Sequence, residues 1–404
     1  MQLILVLLFL TWNCANGEDW PQFLGPSRDG HYSGPELPAA WPKSGPPLVW
    51  KIDVGQGFSG PVVARGRVIL FHRIANRAIV ESLDAATGRR IWATEYPTVY
   101  RDDFGFDEGP RGIPAIAGDK IYTFGAEGVL QSLDLATGKR IWTVDTQQKF
   151  GSSKGFFGAA CSPLVEGDRV LMNVGGPNGA GVAAFDAATG KVLWTATSDE
   201  AGYSAPVAVT IGGLRHALFF TRNGLVDIDP ANGKVRLEFP WRSRSHASVN
   251  AAAPVVAGNL VFLSASYGTG ATVIQIDGGK PKQLWASDDA LSNHYATSVY
   301  RDGYLYGYHG RQEYGQSLRS IEMQTGKVQW NVDRFGAGTV TLAGDRLLLV
   351  RENGELVLAL ASPKEFKPLA RAQLLPATVR AYPALADGML YVRNEHNLAC
   401  FKLR

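Results

Sequence analysis

The residues of this chain best suited to holding a ligand are scattered along it. Arg111 closes the run Asp107-Glu108-Gly109-Pro110-Arg111, and His246 and Asn250 follow Arg242-Ser243-Arg244-Ser245. Asn293, His294 and Tyr295 follow Ser292, Arg311 and Glu313 lie in His309-Gly310-Arg311-Gln312-Glu313-Tyr314, and Arg380 stands two residues before Tyr382. Guanidinium and imidazole groups grip anions through charge-assisted hydrogen bonds, and the amides and the phenol add neutral donors. Brought to one opening, these side chains would favour a small anion such as a carboxylate. Taken singly, each has a plainer reading: a histidine bonded to nearby backbone, an Arg111 that holds a loop through its carbonyls, a Glu313 paired with Arg311 at the surface. The chain has no Gly-x-Ser-x-Gly elbow, no His-Glu-x-x-His pair and no Walker loop. Gly175-Gly176-Pro177-Asn178-Gly179-Ala180-Gly181 reads as a turn between two strands, not as a phosphate cradle opening a helix. Glu108, Asn250, Asn293 and Glu313 offer oxygens of the kind calcium takes, but no spacing marks a site, and no metal is assigned.

Only a closed ring of repeated units would bring such distant residues to one place, and the sequence contains one. Ser132 to Trp142 reads Ser-Leu-Asp-Leu-Ala-Thr-Gly-Lys-Arg-Ile-Trp, and the phrase returns at Ser82 to Trp92, at Ala184 to Trp194 and, with Glu322 for Asp, at Ser320 to Trp330. Weaker copies begin at Asp229, with Leu237 at the Trp position, and at Asp277, leading to Trp285. The Asp accepts from backbone N–H groups two or three residues on, and the Gly supplies positive φ where the chain reverses, so each copy predicts a hairpin. Alternation at Leu130, Leu133 and Leu135 and at Ile141 and Val144 is strand periodicity, and the Trp falls where a large ring fills the wedge between neighbouring sheets. A period of roughly 40 to 50 residues with four strands in each predicts an all-β fold, a β-propeller. The count is eight blades over 48–404. Leu48 to Ile52 is an outer strand with its own Trp50, and Val49 to Val54 closes the ring by pairing with the last blade, which lacks an outer strand. Trp50, Trp92, Trp142, Trp194, Trp285 and Trp330 are the expected docking residues.

The phrase Ala/Ser-x-Asp-x-x-Thr-Gly-Lys/Arg-x-x-Trp resembles the tryptophan-docking motif of the pyrroloquinoline-quinone-type propellers. That superfamily holds quinoprotein alcohol dehydrogenases and the propeller lipoprotein of the outer-membrane β-barrel assembly machine. The leader Asp19-Trp20-Pro21-Gln22-Phe23-x-Gly25-Pro26-x-Arg28-Asp29-Gly30 is similar to a group of secreted bacterial quinone-binding-like repeat proteins. The resemblance implies the fold over residues 48–404 and leaves activity open. It also makes pyrroloquinoline quinone the cofactor to consider and widens the anion class to quinone acids. The chain lacks the adjacent Cys-Cys pair of quinoprotein alcohol dehydrogenases and a Cys-x-x-Cys-His haem site, which counts against electron transfer.

Leu3 to Leu10 followed by Ala15-x-Gly17 reads as a signal peptide over residues 1–17, although it contains no Lys or Arg, and predicts a periplasmic or secreted protein. Thr11-Trp12-Asn13 before Cys14 is a poor lipobox. Residues 18–47, rich in Pro and Gly but carrying Trp20, Phe23, Tyr32 and Trp41, predict an extended strap packed on the propeller rather than sheet, with a partner-docking arm as the alternative. Cys161 and Cys400 fall in blades that are not neighbours and read as buried free thiols. A net charge of +3 without long basic runs argues against nucleic acid, no segment after residue 17 has the apolar length to cross a bilayer, and a monomer is expected. In a propeller the loops entering each innermost strand, and those between second and third strands, surround one axial funnel; His72 and Tyr267 join the candidates by that rule. Three functions fit: a non-enzymatic scaffold that holds a protein partner, a quinoprotein-type dehydrogenase or small anionic-ligand protein using the funnel, and a carbohydrate- or polymer-binding module.

Overall fold

The computed structural model describes residues 18–243, 245, 250–278 and 280–404; the segment read as a signal peptide, and His246, lie outside the described residues. Eight antiparallel sheets follow one another along the chain. Blade 2 shows the plan, with strands Ala115–Ala117, Lys120–Phe124, Val129–Asp134 and Arg140–Asp145 stepping outward from the axis. Blade 1 covers 62–97, and blades 3 to 7 cover 164–196, 207–240, 255–287, 299–332 and 338–373. Blade 8 takes three strands from 384–402 and its outer strand, Leu48–Asp53, from the start of the propeller, so the ring is closed by pairing Asp53 with Asn397 and Trp50 with Cys400.

The repeated phrase does its work at the seams. Asp134 Oδ1 accepts from the Thr137 amide at 2.8 Å and the Thr137 hydroxyl at 2.6 Å, and the same pair of bonds ties Thr87 to Asp84 and Thr189 to Asp186. Every blade carries a register shift between its third and fourth strands, as between Arg140 and Trp142, and the bulge re-aims the side chain toward the next blade. Trp142 then donates from its indole nitrogen to the Ala187 carbonyl of blade 3 at 3.1 Å. It lies flat on Gly190 (φ 72°), where a Cβ would stand 2.7 Å from ring carbons, so this Gly is required by close approach as well as by its turn. Trp50, Trp92, Trp194, Trp285 and Trp330 make the equivalent bonds to Ala85, Leu135, Pro230, Met323 and Ser362. The core accordingly sits between blades: Tyr122, Leu130 and Trp142 of blade 2 pack with Val170, Met172 and Phe185 of blade 3.

Residues 18–47 cross the end of the axial tunnel where the Thr-Gly turns lie, then run out along blade 8, where Trp41 donates to the Leu403 carbonyl and Pro47 accepts from the Lys402 amide. Their composition had predicted no sheet, yet His31–Tyr32 adds a fifth, parallel strand to the inner edge of blade 7. Cys161 and Cys400 are buried free thiols. The glycine run at 175–181 is the tight turn between antiparallel strands Arg169–Gly176 and Ala180–Asp186.

Candidate ligand site in the axial funnel

At the opposite end of the tunnel a cavity of about 260 Å³ is walled by loops of seven blades' worth of chain and by the strap. Phe58 comes from the loop entering blade 1, Phe106, Arg111 and Ile113 from that entering blade 2, and Phe157 and Tyr203 from those entering blades 3 and 4. Tyr267 follows from blade 5, His294, Tyr295, Gln312 and Glu313 from blade 6, Arg380 and Tyr382 from the approach to blade 8, and Phe23 from the strap. The first two loops lie against each other: Gly57 N–H donates to Asp107 Oδ2, and a Cβ on Gly109 would fall 2.3 Å from the Gln56 carbonyl oxygen. Beneath them the buried Arg73 donates to the carbonyls of Ala75, Tyr100 and Glu108, which fixes the loop that carries Arg111.

Arg111 donates to the Asp107 carbonyl at 3.0 Å and faces Asp102 at 3.5 Å. Its guanidinium carbon lies 5.6 Å from the centroid of Phe58, and that of Arg380 lies at the same distance from the same ring. Arg380 Nε donates to Glu352 Oε1 at 2.7 Å, and the Tyr295 hydroxyl donates to that same oxygen at 2.6 Å. Burial first, and the Glu352 charge second, hold the Tyr295 phenol well above its ordinary pKa, so it remains a donor. The terminal nitrogens of Arg380 have no hydrogen bond among the described residues, and they belong to a side chain that lines the cavity.

His294 Nε2 is 2.9 Å from the Tyr267 hydroxyl, while its Nδ1, buried and without a hydrogen bond among the described residues, faces Glu313 at 4.0 Å. Burial lowers the imidazole pKa and outweighs the opposing pull of Glu313. Burial works against the Glu313 carboxylate, but the 2.7 Å bond from Arg311 prevails and holds it below the usual carboxylate value. Arg311 stacks over Tyr267 at 4.6 Å and stands behind the wall rather than in it.

The structure thus brings Arg111, His294, Tyr295, Glu313 and Arg380 to one cavity, with Arg311 one bond away. Asn250 and Asn293 do not reach it. Asn250 Nδ2 donates to the carbonyls of Thr221 and Trp241, and Asn293 Nδ2 to that of Tyr308, so both are buried loop fasteners. His72 is not on a funnel loop: it sits within strand Arg67–Ile74, buried, accepting from the Gly55 amide beside Glu81.

A family model described as outer membrane protein assembly factor BamB matches residues 76–313. The chain belongs to this family. Among solved structures, BamB from Moraxella catarrhalis aligns with 88% of this chain and 97% of its own at a TM-score of 0.64 and 16% identity. Quinohemoprotein alcohol dehydrogenase from Comamonas testosteroni aligns with 97% of this chain and 81% of its own at a TM-score of 0.69 and 16% identity. The computationally designed Ika8 protein, 12% identical, aligns over 91% of this chain and all of its own at 0.59. No curated protein matches the chain by sequence. Identities this low establish the shared propeller and no activity.

The dehydrogenase likeness makes a quinone and its metal worth testing against the donor set. Calcium takes six to eight oxygens. Among the described residues Glu313 is the one carboxylate on the cavity wall, already tied to Arg311, and no three His, Cys, Asp or Glu side chains are grouped to hold an ion. These residues do not fit calcium. They do fit the flat, acidic body of a quinone acid, with aromatic faces for its rings and two guanidinium groups for its carboxylates.

Reasoning from sequence missed the walls. Phe106 lies on the same entering loop as Arg111, whereas Phe58, Phe157 and Tyr203 come from the loops entering blades 1, 3 and 4, which carry no polar candidate. Glu352 sits between the second and third strands of blade 7, where the funnel rule would have found it.

Proposed function

We propose that this is an exported propeller of the BamB-like family that binds, in its axial funnel, a flat aromatic molecule carrying carboxylates, without catalysing a reaction on it. The observation that carries this reading is the pair of cations, Arg111 and Arg380, set against one aromatic ring, Phe58, in a cavity walled mainly by aromatic side chains. A flat acid would stack on the walls and exchange its hydration for the terminal guanidinium nitrogens of Arg380, beside the Arg111 charge. Export is supported by the apolar run Leu3 to Leu10 with small residues at Ala15 and Gly17. The family's description as an assembly factor supports a protein partner as well, and the exposed Phe104 and Phe106 on the funnel rim supply apolar surface for one.

Calorimetric titration with naphthalene-2,6-dicarboxylate and with pyrroloquinoline quinone, each in calcium and in EDTA, tests the reading. Both acids should bind equally well with or without calcium, and no alcohol should be oxidised. Calcium-dependent quinone binding with alcohol oxidation would establish the dehydrogenase reading instead.

A further inference from the structure

The funnel cavity has a floor because the strap makes one. An eight-bladed ring leaves an axial tunnel, and here the tunnel holds two hollows. The funnel cavity is lined in part by Ser162 and Ala205, and a second, of about 480 Å³, by Leu164 and Val207 two residues further along the same two chain segments. Between them stands the turn 22–30 of the strap. Its backbone is folded on itself by bonds from Gly25 to Gln22, Arg28 to Gly25 and Gly30 to Leu24. From this knob Phe23 points into the funnel, edge-on to Tyr382 with ring centroids 4.9 Å apart, while Gln22 and Arg28 face the hollow behind.

The inner strands hold the knob in place. Trp20 exchanges backbone bonds with Val63 of blade 1, Pro21 accepts from Ile116 of blade 2, and Arg28 donates to the Pro163 carbonyl before blade 3. His31 bonds the Tyr300 carbonyl of blade 6, Gly30 accepts from Leu342 of blade 7, and the Tyr32 hydroxyl accepts from Gly388 of blade 8. Blades 4 and 5 receive none of these bonds, and their inner strands, together with that of blade 3, line the open hollow. Six blades out of eight therefore converge on one short segment, far more fastening than a covering strap needs.

We propose that this knob is a working part of the ligand site: Phe23 sets the depth to which a flat acid enters the funnel, and ligand binding and strap docking stabilise each other. This rests on the funnel reading given above. A ligand seated on Phe23 and Tyr382 touches the strap only while the strap is docked, so by linkage occupancy must favour docking and docking must favour occupancy. Shortening Phe23 removes an aromatic partner and opens the floor toward the second hollow; enlarging it raises the floor.

The test uses the full mature chain and two rigid acids, naphthalene-2,6-dicarboxylate and the longer biphenyl-4,4′-dicarboxylate. In calorimetry, Phe23→Ala should weaken the shorter acid about tenfold and shift preference toward the longer one, while Phe23→Trp should weaken the longer acid most. In the unsubstituted protein, hydrogen exchange at the amides of residues 20–30 should slow when naphthalene-2,6-dicarboxylate is added. An unchanged length preference in both variants, together with strap exchange indifferent to the acid, overturns the proposal while leaving the funnel a binding site. If neither acid binds the unsubstituted protein, the funnel reading itself falls and the proposal with it.

Discussion

At one end of the ring, Asp84, Asp134 and Asp186 make the same pair of bonds to a Thr three residues on, and each turn receives the indole of the blade before it. At the other end the bonds are more varied: Arg73 gathers carbonyls, Asn250 and Asn293 fasten backbone, and Glu352 joins Tyr295 to Arg380. The turn face repeats because every seam poses the same packing problem. The funnel face varies because its loops serve a single place on the axis rather than their own blade. Stability should therefore reside at the seams and ligand recognition at the funnel, and each can be disturbed without the other.

The largest disturbance removes a seam altogether. A chain beginning at Gly57 loses the strap and Leu48–Asp53, exposing the edge of Asn397–Lys402 and leaving the Ala85 carbonyl without the Trp50 indole. It should aggregate or melt far below the chain beginning at Glu18 in calorimetry; equal melting would show that the ring does not need its closing strand. Next comes Trp142→Ala, which empties a buried wedge and should cost about 3 to 5 kcal/mol in a denaturant titration. A loss under about 1 kcal/mol would mean that the indole is not a docking group.

Acid should part the two faces. Burial pushes His309, behind the funnel near Arg319, Asp288 and Asp289, down from 6.5 to about 4. The unfolded chain takes up that proton first, so this contribution to stability is complete above pH 6.5 and declines as pH falls toward about 4. The turn carboxyls, lowered below 3.8 chiefly by their Thr hydroxyls, lose their contribution only at still lower pH. His309→Asn should flatten the stability profile between those first two values, and an unchanged slope would assign the loss to other groups. Smallest of all is Thr137→Ala, which removes an exposed hydroxyl that donates to Asp134 and accepts from the Lys139 amide, and should cost about 0.5 to 1 kcal/mol. A cost equal to that of Trp142→Ala would place the strength of the seam in the turn.

The same comparison explains what could be read from sequence. Asp134, Thr137, Gly138 and Trp142 announce their roles because local rules govern them: a side chain that caps its own turn, a Gly with φ of 72°, a ring on a strand. The blade count and ring closure follow from such residues alone. At the funnel, type and loop position singled out Arg111, His294, Tyr295, Glu313 and Arg380, but could not tell them from Asn250 and Asn293, which have equally polar side chains and spend them on backbone carbonyls. Nor could they show that Phe23, some 360 residues from Tyr382, meets its ring across the axis. Those outcomes depend on contacts between blades that no local pattern encodes.

Recognition of an acid by the funnel, on a scaffold that does not depend on that site, is checked by measuring affinity for naphthalene-2,6-dicarboxylate and the melting midpoint together, in the unsubstituted protein and in Arg111→Gln with Arg380→Gln, where Gln keeps a donor for the Asp107 and Glu352 oxygens but loses the charge. Two charge-assisted bonds lost should weaken binding on the order of 100-fold while the midpoint moves by no more than about 2 °C. A midpoint that falls steeply, in a parent protein that binds no acid, would show that these arginines only tie loops together, and would contradict the account.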